Sequence, residues 1–162
     1  MQIKNRALSL FFLVLVWCVP AQAGDEPFTG PANWGGTGLL ETPTARLMPE
    51  GRFRVGVSQA DPYRWYYGAV GILKRLEANG TITEILDIPA PGMGEYGNYK
   101  DKAISLKYQL IPEGKYRPAV ALGIMDPHAT RIYPSQYIVM SKQIYPFDFS
   151  LGFGNGRYGQ KP

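Results

Sequence analysis

Cysteine and histidine are nearly absent from this 162-residue sequence, since each occurs only once, as Cys18 and His128. One cysteine cannot form a disulfide bond within the chain. A lone histidine leaves both a zinc site and a Ser-His-Asp triad without their other members. The sequence therefore predicts no metal, no cofactor and no catalytic residue.

Long apolar runs are also scarce, and the clearest one lies at the N-terminus. Residues 7–19 are apolar apart from one serine; they follow a basic head with Lys4 and Arg6 and precede the small-x-small pattern Ala21-Gln22-Ala23. The run is too short for a permanent transmembrane helix, and the order of the three parts is that of a secretory signal peptide. We therefore predict that residues 1–23 form a signal peptide and that the protein is exported.

The predicted cleavage site lies between Ala23 and Gly24. An alternative is a lipoprotein whose first residue is an acylated Cys18, but the bulky Val16 and Trp17 stand where small side chains are expected. Cleavage after Ala23 removes Cys18 and leaves a mature chain without a disulfide. Exported domains with small cores usually rely on disulfides, so this chain must gain stability from a larger core, a partner or lipid.

A strong charge of either sign is lacking as well. The sequence has 17 basic and 13 acidic residues, and removal of Lys4 and Arg6 with the signal leaves 15 basic residues and a net charge of +2. The basic residues form no run or stripe of the kind that a nucleic-acid-binding protein presents. We therefore expect no nucleic-acid partner.

Glycine, proline and tyrosine are abundant, at 19, 14 and 11 residues. The glycines and prolines punctuate short segments in which apolar and polar residues alternate, and no window shows a helical repeat. This pattern predicts an all-β fold with seven strands. The predicted strands cover residues 52–59, 65–73, 75–86, 102–110, 119–125, 136–144 and 147–154.

Short turn-forming segments separate neighbouring strands, as at residues 61–64, 112–115 and 145–146, and predict an antiparallel meander. Two architectures fit this pattern. A soluble β-sandwich buries the apolar face of each strand, whereas a membrane β-barrel turns that face to lipid and keeps the polar face inside. The alternation by itself leaves both open.

Acidic residues are numerous enough for glycosidase chemistry, which needs two carboxyl groups facing one sugar. Their spacing selects no pair, so solvated loop ends and polar residues lining a lumen are the better interpretation. Residues 92–97 match G-x-G-x-x-G but open no helix, which argues against a dinucleotide site. We therefore expect no enzyme. The acidic candidates considered are Glu77, Glu84, Asp87, Glu95, Asp101, Asp126 and Asp148.

Residues 35–53, with the sequence GGTGLLETPTARLMPEGRF, resemble the N-terminal signature of the YjbH family. These are Gram-negative outer-membrane β-barrel proteins linked to exopolysaccharide or capsule production. Further blocks resemble the family in the same order along the chain. They are Asp-Pro-Tyr-Arg at 61–64, Tyr-Lys-Asp-Lys at 99–102, the segment 135–142, and the segments 147–152 and 154–157.

The resemblance implies a non-enzymatic outer-membrane barrel protein that takes part in exopolysaccharide export or assembly. Its implied partners are outer-membrane lipid, polysaccharide and other exopolysaccharide export proteins. Family members run to several hundred residues and this chain resembles their opening section, so we expect it to be the N-terminal part of a longer barrel protein. The alternative is a soluble periplasmic β-sandwich that serves as an accessory or binding module for envelope assembly.

The signature block has the composition of a structural turn region. Its glycines permit backbone conformations that other residues resist, and the proline within it favours an extended step before a reversal of the chain. We interpret residues 24–51 as a lead-in or plug segment docked at the mouth of the first hairpin, and residues 52–162 as barrel strands; a glycan-contacting loop is the alternative. The signature residues given this structural role are Gly38, Leu39, Leu40, Thr42, Pro43, Thr44, Ala45, Arg46 and Gly51.

Overall fold

The structure is a computed structural model that describes residues 26–90, 97–127 and 134–159. Several features of the sequence lie outside these described residues: the predicted signal peptide with Cys18 and the cleavage site at Ala23 and Gly24, most of the G-x-G-x-x-G match, and His128. Within the described ranges, no helix has the length and apolar character needed to cross a membrane.

Seven strands form one antiparallel sheet in which each strand pairs with the next along the chain, and the sheet curls into a half-barrel. A separate two-stranded hairpin precedes it, and a short 3-10 helix, Gly156–Tyr158, follows it. The prediction of an all-β antiparallel meander is confirmed. The strands are β1 (Gly38–Leu39), β2 (Thr42–Pro43), β3 (Phe53–Ala60), β4 (Tyr63–Leu73), β5 (Leu76–Pro89), β6 (Asn98–Ile111), β7 (Ala119–Met125), β8 (Ser135–Ile144) and β9 (Phe147–Gly154).

The predicted strand bounds agree with the structure for β7 and β9 and differ most for β5 and β6. These two strands are longer than predicted, since β5 continues to Pro89 and β6 already begins at Asn98. At the added ends, Pro89 of β5 pairs with Asn98 of β6, and Lys100 in the added part of β6 pairs with Glu84. Charged residues in the added parts, such as Asp87 and Lys100, interrupt the apolar alternation, so the pattern did not show that the strands continue.

The two faces of the seven-stranded sheet differ in polarity: the concave face is polar on β5 and β6 and apolar on β4, β7 and β8, whereas the convex face is largely apolar. On the concave face, polar side chains such as Glu77, Asn79, Ser105 and Lys107 are buried. On the convex face, large apolar side chains are exposed and form what we call the convex belt. The belt contains Phe53, Val55, Val57, Val70, Ile82, Ile104, Leu106, Tyr108, Leu122, Ile138, Met140, Phe147, Phe149, Leu151 and Phe153.

Residues 26–51, the described part of the lead-in segment, lie against the concave face. Ala32, Trp34 and Ala45 of this segment form a buried apolar cluster with side chains of β4, β7 and β8, among them Trp65. The core therefore lies between the lead-in segment and the sheet. The lead-in segment contacts more of the sheet than the first hairpin at which we expected it to dock. Its contacts extend along the concave face as far as β9.

Candidate functional site

Polar side chains from five strands bind the lead-in segment on the concave face. Strand alternation points every second side chain to this face, so the polar side chains of these five strands collect in one place. Most of the contacts are made to backbone groups of the lead-in segment. We call this set of residues the cradle, and it consists of Arg54, Ser58, Glu77, Thr81, Lys107, Gln109, Ser141 and Asp148.

Glu77 of β5 accepts three hydrogen bonds from the lead-in segment. Its carboxylate oxygens lie 2.8 Å from the Thr37 backbone nitrogen, 2.5 Å from Thr37 Oγ1 and 2.8 Å from the Met48 backbone nitrogen. Glu77 is 2% exposed, so these bonds replace the water that the carboxylate loses on folding. One side chain thus holds together two points of the lead-in segment.

Lys107 of β6 lies beside Glu77 and completes the charge balance. Its Nζ donates hydrogen bonds to the carbonyl oxygens of Thr37 at 2.6 Å and Thr44 at 3.2 Å, and it lies 3.6 Å from Glu77 Oε1. Lys107 is 3% exposed. A buried ion pair is maintained only when good geometry and further hydrogen bonds offset the loss of solvent, and both conditions are met here.

Arg46 anchors the lead-in segment at the opposite side of the sheet. Its guanidinium binds both carboxylate oxygens of Asp148 in β9, at 2.6 and 2.8 Å, and its Nε donates to Glu113 at 2.8 Å. Burial raises the pKa of Glu113, but the hydrogen bonds from Arg46 and the Gln143 backbone lower it by a larger amount. The pKa therefore lies below its usual range. The bidentate contact with Asp148 fixes both the position and the orientation of the Arg46 guanidinium.

Smaller polar side chains hold the backbone between these anchors. The Ala45 backbone nitrogen donates to Ser141 Oγ, and the Ala45 carbonyl oxygen accepts from Gln109 Nε2, both at 2.8 Å. Nearer the N-terminus, Thr81 Oγ1 donates to the carbonyl oxygen of Trp34 at 2.7 Å. The segment has little regular structure of its own, so the sheet supplies partners for its buried polar groups.

The signature residues divide into a buried group and an exposed tip. Thr44, Ala45 and Arg46 are buried on the cradle, whereas Leu40 lies in the turn between β1 and β2 and is 76% exposed. In that hairpin, a Cβ at Gly38 would lie 2.5 Å from the Thr42 carbonyl oxygen, which explains the glycine.

The remaining signature positions complete the hairpin and the turn into the sheet. Leu39 belongs to β1, and Thr42 and Pro43 form β2. Gly51 has φ +73°, a conformation that favours glycine, just before β3 begins.

Sequence reasoning missed the role of Glu77, because it treated the acidic candidates as solvated or lumen-facing groups, and it did not consider Lys107 or Glu113 as site residues. The structure buries Glu77 beneath the lead-in segment and joins Asp148 to Arg46. The available signal was the placement of charged residues on the polar face of otherwise regular strands. Among the described residues, no group of His, Cys, Asp and Glu side chains could hold a metal ion.

These observations define a class of chain: an antiparallel half-barrel whose concave face binds its own N-terminal segment through polar contacts and an apolar cluster. The chain belongs to the YjbH family. The family model described as "Exopolysaccharide biosynthesis protein YbjH" matches residues 31–162, most of the chain. The resemblance of the signature block to this family is thereby confirmed.

A curated relative is the "Uncharacterized lipoprotein YjbH" of Escherichia coli (strain K12), which is 35% identical over 161 residues. The match covers 96% of this chain and 23% of the relative, so the chain spans about a quarter of the length of that protein. No solved structure shows a significant match to the chain.

Proposed function

We propose that this chain forms part of an outer-membrane β-barrel that takes part in exopolysaccharide export or assembly without catalysing a reaction. The observation that carries the proposal is the exposed apolar convex face, opposite a concave face on which charged side chains are buried. Glu77 and Lys107 are buried on the concave face, whereas Leu106 and Leu151 on the convex belt are exposed. A membrane barrel has this arrangement, since its outer face contacts lipid and its interior is polar.

The link to exopolysaccharide comes from the description of the family. This chain matches only 23% of the E. coli relative, so the role of a whole family member does not transfer to it directly. A quarter of a longer protein need not contain the groups that contact the polymer. We therefore propose a structural contribution: a barrel section whose interior is occupied by the lead-in segment. The carboxylates beneath the lead-in segment support a non-catalytic role, because the buried Glu77 and the half-buried Glu113 and Asp148 are each engaged in an ion pair.

The two edges of the half-barrel support the presence of further strands. β3 and β9 are the outermost strands of the sheet, and each pairs with a neighbour on one side only. In hydrocarbon, an unpaired strand edge leaves backbone groups without partners, at a cost of several kcal/mol per group. We propose that these edges pair with further strands of a longer protein of the same family.

The second candidate is a soluble periplasmic β-sandwich that acts as an accessory or binding module. A sandwich needs a second sheet packed on the apolar face of the first. In the described residues, the only other sheet is the small β1–β2 hairpin, and the lead-in segment to which it belongs lies on the concave face. The convex belt therefore favours the membrane barrel.

The name of the E. coli relative supports a second way of reaching the envelope. That protein is called a lipoprotein, and Cys18 is the one residue of this chain that a lipoprotein peptidase could leave at the N-terminus for acylation. We propose export with cleavage before Gly24. Intact-mass measurement of the exported protein distinguishes the two: a first residue Gly24 supports our proposal, and a lipid-modified Cys18 replaces it with an anchored protein.

A pair of neighbouring residues in β9 tests which face contacts lipid. Leu151→Cys places a thiol on the convex belt, and Ser150→Cys places one on the concave face. Each variant of the exported protein is labelled with an environment-sensitive dye, folded in lipid vesicles and exposed to a quencher confined to the acyl chains. We expect strong quenching at position 151 and weak quenching at position 150. Equal, weak quenching at both, with a monomer that needs no detergent, would support the soluble sandwich instead.

A further inference from the structure

The convex face carries a row of polar side chains at the end of the sheet where β4 and β6 begin. Gln59, Arg64, Glu84 and Lys100 occupy paired positions on four neighbouring strands. Lys102 lies one row closer to the middle of the sheet, paired with Ile82. Paired residues in antiparallel strands share a face, so all five are on the same side as the convex belt. We call these five residues the polar ladder.

The polar ladder is connected from strand to strand. Arg64 Nε donates to Gln59 Oε1 at 2.9 Å, and its NH1 lies 3.4 Å from Glu84 Oε2. Lys100 Nζ lies 3.7 Å from the other oxygen of Glu84. Tyr66 donates its hydroxyl to Glu84 at 3.3 Å. Glu84 therefore acts as an organising carboxylate between two cations, and the Lys100 side chain remains 56% exposed.

The position of the ladder marks a boundary in the bilayer. Charged side chains on the outer face of a barrel are costly at the middle of the membrane and are tolerated near its interfaces. Apolar residues such as Ile104 and Leu106 follow Lys102 on the same face of β6. If the convex belt lies in hydrocarbon, the ladder lies at the level of the lipid headgroups. A tyrosine such as Tyr66 is typical of that level.

The charge of the ladder selects the kind of headgroup. Arg64, Lys100 and Lys102 contribute three positive charges and Glu84 one negative charge. Asp61, which accepts a hydrogen bond from Gln59 at 3.4 Å, adds a second negative charge and leaves a net charge of +1. Guanidinium and ammonium groups bind phosphate through charge-assisted hydrogen bonds. The ladder lies on the outer face of the sheet, away from the concave interior, so a lipid can reach it more directly than a polymer held in the interior. Lipid headgroups are thus the phosphate source nearest to these cations.

We infer that the polar ladder is a docking surface for anionic, phosphate-bearing lipid headgroups. This inference rests on the proposed membrane-barrel function and adds to it the lipid class that contacts this face. An electrostatic contact of this kind contributes about a fivefold change in affinity per cation and weakens with salt. Removal of three cations is therefore expected to weaken anionic-lipid binding by at least about tenfold.

The test uses the exported protein in neutral detergent, titrated with phosphatidylglycerol or phosphatidylcholine, with bound lipid counted by native mass spectrometry. The test variant is Arg64→Gln/Lys100→Gln/Lys102→Gln. The matched control is Arg52→Gln/Lys74→Gln/Arg75→Gln, which removes three exposed cations at the opposite end of the sheet. We expect the ladder variant to lose at least tenfold in phosphatidylglycerol affinity, the control to change less than twofold, and phosphatidylcholine binding to stay the same.

Several outcomes would overturn the inference. Equal losses in the two triple variants would mean that overall charge, not the ladder, attracts the lipid. Competition by inorganic phosphate would indicate a site for the free anion, and competition by polygalacturonate would indicate an acidic polymer as the ligand. If the triple variant does not fold, the single variant Lys100→Gln replaces it, and an unchanged affinity there counts against the ladder.

The same experiment separates this inference from the proposed function. A wild-type protein that enters micelles without preferring phosphatidylglycerol contradicts the ladder alone. A wild-type protein that stays monomeric in buffer without detergent contradicts the membrane barrel itself.

Discussion

The concave and convex faces of one sheet are stabilised in different ways. On the concave face, the chain supplies its own partners: Glu77 and Lys107 are buried, and the lead-in segment satisfies their hydrogen bonds. On the convex face, side chains such as Leu106 and Phe149 are exposed, so their contribution depends on the surrounding medium. The concave face is therefore stabilised by contacts within the chain, whereas the stability of the convex face depends on the medium that surrounds it.

Because of this difference, substitutions on the two faces are expected to affect the stability of the fold in different media. A substitution in the cradle disrupts hydrogen bonds that exist in any solvent. A substitution on the convex belt is expected to change the free energy of unfolding strongly in lipid and weakly in water. An apolar side chain that stays in contact with water after folding contributes little to stability. Measurements on the two faces in the same medium therefore test whether the contrast is real. Buried Trp34 and Trp65 report unfolding by their fluorescence.

The largest effect is expected at the buried ion pair of the cradle. Lys107→Met leaves Glu77 buried without its cation, which costs about 3–5 kcal/mol of the free energy of unfolding. The exposed Lys74→Met, in the turn between β4 and β5, serves as the control and is expected to change this free energy by less than about 0.5 kcal/mol. Urea titration of the chain folded in detergent measures both. Similar small losses in the two variants would mean that the cradle does not bind the lead-in segment as described.

The next effect is expected on the convex belt. Leu151→Arg places a charge on the apolar face, which costs about 2–4 kcal/mol if that face is near the middle of a bilayer. Tyr116→Arg, at a residue outside the strands that is 86% exposed, is the control and is expected to be nearly neutral. Folding titrations in lipid vesicles give the two values. A neutral Leu151→Arg would show that water, not lipid, covers this face.

How much of this contrast could be predicted from sequence depends on the distance over which contacts act. Alternation within a strand is local, so the seven strands and their polar and apolar faces followed from the pattern. The cradle did not follow, because its contacts join distant parts of the chain. Arg46 and Asp148, for example, are 102 residues apart. The lead-in segment also lacks a period that would show which of its groups are buried.

The signature block illustrates the same limit. The resemblance identified its residues and the family, and turn chemistry suggested a structural role. The particular tasks of Arg46 as an anchor and of Leu40 as an exposed tip required the three-dimensional structure. Likewise, the extension of β5 and β6 beyond the apolar alternation is set by pairing between the strands, as at Pro89 and Asn98.

A smaller effect is expected at the Arg46 anchor, and it depends on pH. Arg46→Gln removes charge-assisted hydrogen bonds to Asp148 and Glu113, worth about 1.5–3 kcal/mol. Because folding lowers the pKa of Glu113, its contribution to stability is present above the unfolded-state pKa and is lost as pH falls through the folded-state pKa. We therefore expect the lead-in segment to become more sensitive to protease at acidic pH in the wild type.

The variant Arg46→Gln tests this linkage directly. Its protease sensitivity should already be high at neutral pH and should change less on acidification, because the partner that lowers the pKa of Glu113 is gone. The charge-matched control is Arg117→Gln, because Arg117 is exposed and lies, like Glu113, in the connection between β6 and β7. An acid response of equal size in Arg46→Gln and wild type would assign the pH dependence to other groups.

The smallest effect is expected at the tip of the β1–β2 hairpin, which belongs to neither face. Leu40 has φ +47°, a left-handed conformation that costs a residue with a Cβ about 1–2 kcal/mol. Leu40→Gly removes this cost but adds about 0.5–1 kcal/mol of backbone entropy to the unfolded chain, so we expect a net stabilisation of about 0.5 kcal/mol. Leu39→Gly, next to it in β1, has no such strain to relieve and should destabilise the protein by about 0.5–1 kcal/mol. Equal destabilisation by both substitutions, measured by urea titration, would mean that the Leu40 side chain itself makes a stabilising contact and is covered in the folded protein.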